Sequence, residues 1–123
     1  MCHGAGHVQR RISGVTIGGV NWRLGSHCLY LDTADSATRY GTVTNMFHDV
    51  DAMIDEFVIF ELEQTPITSY RGHYCLLSAD GHTSVFVMWD RIKWKCKRLN
   101  FGGHTDMALP IQSCTSEELI QLR

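Results

Sequence analysis

The sequence predicts an all-β domain, a small barrel with a short C-terminal helix. Three observations carry that prediction. Apolar and polar residues alternate with period two in several short runs, as in Arg91–Arg98, RIKWKCKR. Roughly seven such runs are separated by turn-forming residues every ~8–12 positions, the spacing of barrels and sandwiches. Helical periodicity is absent from the body of the chain, and its 123 residues suffice for one core. Residues 1–9, rich in Gly and His, read as a flexible leader, and 10–123 as a single β-barrel domain.

Arg10–Trp22 places Ile12, Val15, Ile17, Val20 and Trp22 among Gly14, Gly18 and Gly19. It reads as one strand, or as two short ones with a glycine bulge. His27–Asp32 is a short strand, and Thr33–Thr38 a polar turn. Tyr40–Phe47 follows as a strand, with Gly41 marking a bulge. Asp49–Asp55 is an acidic loop. Glu56–Glu63, EFVIFELE, carries apolar residues on both faces and reads as central, ending at Pro66. His73–Leu77 and Ser84–Trp89 are strands, and Asp80–Gly81 between them signals a hairpin. If either of the apolar strands EFVIFELE and SVFVMW leaves one face uncovered, that face becomes an interaction surface. Arg91–Arg98 is a half-buried strand with one basic face, and Ala108–Ile111 is the last strand. Thr115 and Glu118 have the spacing of a capping box, which starts the terminal helix.

Composition narrows the function. The formal net charge is −2, whereas nucleic-acid-binding domains are usually basic, so a nucleic-acid role requires a local patch. No apolar run approaches the ~20 residues of a membrane span, and Met1–Arg11 lacks the apolar core of a signal peptide. Cys2, Cys28, Cys75, Cys96 and Cys114 are odd in number and scattered. They read as reduced, mostly core thiols, which implies a nuclear or cytoplasmic location.

The basic strand is the most distinctive feature. Five of the 11 Lys and Arg residues lie within Arg91–Arg98, including every lysine. The predicted binding residues are Arg91, Lys93, Lys95 and Lys97, with Trp94 or Trp89 as an aromatic anchor. The plainer reading is an edge strand protected from aggregation by its lysines. Asp49, Asp51, Asp55, Glu56, Glu61 and Glu63 form the acidic counterpart, either a surface for a basic peptide or a solvated stretch paired with the basic strand. It lacks the glycine of a calcium loop.

Tyr30, Tyr40, Phe47, Trp89 and Trp94 could form an aromatic cage for a methylated lysine, although strand aromatics more often fill cores. Cys2, His3 and His7 do not extend to a paired zinc-ligand pattern, so no metal or other cofactor is expected. There is no G-x-S-x-G elbow, P-loop or Cys–His signature, so no catalytic residue is assigned. His73 and Cys75 share a strand face and are the one candidate pair for an unrecognised enzymatic site.

Leu24–Phe47, LGSHCLYLDTADSATRYGTVTNMF, resembles the opening of BAH domains, with a Gly before the first strand and a Tyr-Gly pair opening the second. Val87–Leu99, VMWDRIKWKCKRL, resembles that family's closing strands. It is equally similar to a small C-terminal barrel of transposase-derived proteins, where a strand like Ala108–Ile111 follows. The resemblance implies an SH3-like or BAH-like barrel in a chromatin- or nucleic-acid-associated complex. The W-x-x-R-P-E element of BAH domains has no counterpart in EFVIFELEQTPIT, and no binding residues are carried over. The expected function is non-catalytic: a module for protein–protein interaction with a protein or charged peptide. Direct nucleic-acid binding through residues 91–98 is the alternative. A homodimer is left open.

Overall fold

The computed structural model describes residues 7–51, 56–100, 105–115 and 119–122. These residues are all-β apart from one 3-10 turn, Trp89–Arg91. The strands are β1 His7–Ile12, β2 Gly14–Ile17, β3 Val20–Arg23, β4 His27–Leu31, β5 Thr38–Asp51, β6 Glu56–Thr65, β7 Ile67–Tyr70, β8 Cys75–Leu77, β9 Thr83–Met88, β10 Ile92–Leu99, β11 Met107–Ser113 and β12 Leu119–Leu122.

Nine strands form one antiparallel sheet in the order β7-β8-β11-β10-β4-β5-β6-β9, with β1 on the far half of β5. The long β5 explains that branch. Its first half pairs with β4 through Thr38–Thr42, and its second half pairs with β1 through Met46–Asp51. Pro66 alone separates β6 from β7. Proline cannot donate to a ladder, so the chain turns there and leaves β5 for β8. The Ser78 amide donates to the Pro66 carbonyl at 2.8 Å, which ties the corner. One continuous segment therefore belongs to both ends of the path β7…β6, and the sheet curls into a barrel-like half-cylinder.

The curl creates two cores. Leu29, Tyr40, Cys75, Leu77, Cys96 and Ala108 fill the smaller one. The larger lies between the sheet and a second, three-stranded sheet, β12-β2-β3. It holds Val15, Ile17, Val20 and Trp22 from that small sheet against Met46, Val58, Phe60, Leu62 and Ile92. Trp22 meets Phe60 edge to face, with ring centroids 6.1 Å apart.

Several elements differ from the sequence-based expectations. Strand β1 begins at His7, inside the stretch read as a leader, while residues 1–6 lie outside the described residues. Gly18 and Gly19 are not a bulge. Both have positive φ, +55° and +82°, and they form the two-residue turn of the β2–β3 hairpin, with Ile17 opposite Val20. Gly41 sits in regular register, and the bulge of β5 falls between Val43 and Asn45. Asp49–Asp51, expected as loop, continues β5; residues 52–55 lie outside the described residues.

Asp80–Gly81 is not a hairpin turn. Strand β8 pairs with β7 and β11, whereas β9 pairs with β6. Gly81, with φ +83°, instead carries the chain past Pro66 from one end of the sheet to the other. Strand β7 was not foreseen, because Pro66 reads as an end rather than as a corner. The predicted terminal helix is also corrected: Leu119–Leu122 is strand β12, paired with Val15–Ile17 of β2, and 116–118 lie outside the described residues. A one-turn helix is marginal even with a good cap, and strand pairing on an apolar hairpin outweighs it.

Candidate functional site

Strand β10 lies between β4 and β11, so the edge-strand reading of its lysines is overturned. The single basic face is corrected as well. Ile92 is opposite Tyr30, but Trp94 is opposite Leu29 and Cys96 opposite His27, with a register shift between Ile92 and Trp94. A second shift against β11 falls between Lys95 and Cys96. Ile92 therefore enters the larger core and Cys96 the smaller one, despite their shared parity. The bulge divides the cations into two sets. Arg91 and Lys93 stay at the 3-10 turn, where Lys93 Nζ donates to the Asp90 carbonyl at 3.1 Å. Lys95, Lys97 and Arg98 lie beyond it.

These last three line an open groove of about 380 Å³ with Arg23–His27, Cys96 and Ile111. The β3–β4 connection forms one wall. Gly25 takes φ +90° there, and its amide donates to the Val43 carbonyl at 2.8 Å, fixing the connection against β5. Strand β10 and Ile111 of β11 form the other wall. Lys95 Nζ donates to the Asn21 carbonyl at 2.8 Å, which joins the two sides. Arg98 forms an ion pair with Asp106 at 2.7 Å. Among the described residues, the Arg23 and Lys97 side chains have no ion-pair partner. Among the described residues, no carboxylate lines the groove.

His27 is held at the base of the groove. Its Nδ1 lies 2.7 Å from the Tyr40 hydroxyl and 3.0 Å from that of Thr42, and its ring stacks on Tyr40. Burial, and then the positive charge of Arg98, lower the His27 pKa below its ordinary value. Burial also raises the Tyr40 hydroxyl, to about 12, so it remains a donor. Lys95 is lowered by burial and then by the charge of Arg23. The cations repel one another across the groove, and an anion placed there would relieve that repulsion.

The pH dependence of folding follows from His27. Its neutral form is favoured in the folded chain, so the unfolded chain binds the proton first as pH falls below about 6.5. The stabilisation is complete above that pH and is lost on acidification through the lowered folded value. Thermal melts between pH 7.5 and 5 are expected to show a steeper fall for the wild type than for His27→Asn. Parallel curves would contradict this.

The other cavities are less suited to an anion. A cavity of about 410 Å³ near Leu77 and Asn100 contains both Arg98 and its own carboxylate, Asp106. A cavity of about 320 Å³ beside Thr65 and Tyr70 contains Arg39, already paired with Asp32 and Asp35.

The expected anchors lie elsewhere. Trp89 packs half-buried against the larger core, and Trp94 is 42% exposed; neither lines the groove. The aromatic cage does not assemble, since Tyr30 and Tyr40 belong to different cores. Among the described residues, the acidic stretch does not pair with the basic strand. Glu61 accepts from Asn45 and Ser84, and Glu63 lies 3.6 Å from His82. Cys28, Cys75, Cys96 and Cys114 are buried and reduced; Cys2 lies outside the described residues. Burial raises the Cys75 pKa and, with the neighbouring Cys75, raises that of Cys96 to about 12. This is the opposite of nucleophile activation. His73 is exposed and packs against Tyr74. Among the described residues, no group of three or more His, Cys, Asp or Glu side chains is placed to hold a metal.

Sequence reasoning singled out Lys95 and Lys97 but missed Arg23, His27 and Ile111 as their neighbours. Only the antiparallel register, with Lys95 opposite Cys28 and Cys96 opposite His27, brings them together. No protein-family model, curated protein or solved structure matches the chain.

Proposed function

We propose that this domain is a non-catalytic module for protein–protein interaction that receives an acidic surface of its partner in the groove between the β3–β4 connection and β10. The observation that carries this reading is the set Arg23, Lys95 and Lys97 around an open groove that, among the described residues, no carboxylate lines. Charge of one sign in a concave site steers and selects an oppositely charged partner. The barrel-like curl of short strands supports an SH3-like or BAH-like reading of the fold. Buried thiols with raised pKa values support the non-catalytic reading.

The test is affinity capture from native extract, with and without nuclease, using the wild type and a Lys95→Glu/Lys97→Glu variant of matched thermal stability. A protein partner retained after nuclease and lost with the variant is the expected result. Loss of all captured material on nuclease treatment would transfer the groove to nucleic acid. Capture unchanged by charge reversal would remove the groove from the function.

A further inference from the structure

The groove has a second chemical character. Leu24 and Ile111 are 48% and 55% exposed, and both line it together with the cations. An exposed leucine alone is unremarkable in a folded protein. Two aliphatic side chains lining a cationic cleft are a different case, because they offer apolar contact where a charged ligand would already be held.

Resting on the proposed function, we infer that the groove's ligand is an extended acidic segment of a partner protein in which carboxylates are interspersed with aliphatic side chains. The carboxylates meet Arg23, Lys95 and Lys97, and the aliphatic groups cover Leu24 and Ile111. The groove's walls also oppose nucleic acid. Single strands need aromatic platforms on which bases stack. Among the described residues, the His27 imidazole is the one aromatic ring that lines this groove, and it already stacks on Tyr40. The exposed Trp94 is outside it. The net charge of −2 further disfavours a polyphosphate over a short carboxylate segment.

The binding of three synthetic probes of matched length separates the cases: a peptide mixing glutamates with leucines, an all-glutamate peptide and single-stranded oligothymidylate. The mixed peptide is expected to bind about tenfold more tightly than the all-glutamate one, which requires only ~1.4 kcal/mol, about two buried methylenes. Leu24→Ser/Ile111→Ser is expected to abolish that preference, bringing the mixed peptide to the affinity of the all-glutamate one, and Lys97→Glu to weaken both. Thermal melts establish that each variant is folded. Equal affinity of the two peptides would overturn the aliphatic part and leave the acidic-partner reading standing. Failure of both peptides would overturn the inference and that reading together. Tighter binding of oligothymidylate, sensitive to Lys97→Glu, would assign the groove to nucleic acid.

Discussion

Phe60→Ala is expected to destabilise the domain by about 3–5 kcal/mol, a large part of the ~5–15 kcal/mol that holds a typical domain together. Phe60 is fully buried at the middle of β6, between Met46 on β5 and Val87 on β9. It also receives Trp22 from the small sheet edge to face. Removing the ring leaves a cavity that rigid strands on three sides cannot fill. It also loosens the contact that docks the β2–β3 hairpin. Phe86→Ala is the control. Phe86 is on the neighbouring strand but is 66% exposed, with one tilted contact to Phe47, so its change is expected at about 1 kcal/mol or less. Urea denaturation of both variants measures the difference, and similar costs would contradict the placement of the core.

Gly18→Ala and Gly19→Ala are expected to differ sharply although the residues are adjacent. Both occupy left-handed backbone, which costs a non-glycine residue ~1–2 kcal/mol. A Cβ at Gly19 meets nothing within 4 Å. At Gly18 it would collide with the carbonyl oxygen of Thr115. That atom is backbone, so relief requires moving the segment that leads into β12. Adding an overpacking cost of ~1–3 kcal/mol gives about 2–5 kcal/mol for Gly18→Ala, against ~1–2 for Gly19→Ala. Hydrogen exchange provides a second readout. The β12 amides are expected to lose protection in Gly18→Ala and to keep it in Gly19→Ala.

The contrast between these neighbours also shows where local reading ends. The apolar runs Glu56–Glu63 and Ser84–Trp89 mark β6 and β9, and β6 is central, between β5 and β9, as apolar residues on both of its faces require. The Gly18–Gly19 pair was visible as a special backbone site, yet whether it was a bulge or a turn depended on Ile17 pairing with Val20. Asp80–Gly81 has good turn chemistry and still joins strands that never meet, since β8 is claimed by β7 and β11. The capping spacing at Thr115 was overridden by the pairing of β12 with β2. In each case the deciding interaction joins residues far apart in sequence.

The site divides in the same way. Lys95 and Lys97 were legible because all the lysines are concentrated in one strand. The bulge after Ile92, which detaches Arg91 and Lys93 from them, leaves no signature in RIKWKCKR. Arg23 and Leu24 gain their place only because β4 pairs with β10 and the preceding turn is fastened to Val43.

The central claim is that an acidic partner occupies the groove between the β3–β4 connection and β10. Amide chemical-shift mapping with the isotope-labelled domain and a polyglutamate probe tests it most directly. The predicted result is a contiguous set of shifts at Arg23–His27, Lys95–Arg98 and Ile111, fading as salt is raised. Shifts centred on Trp89 and Trp94, or no saturable shifts at low salt, would contradict it.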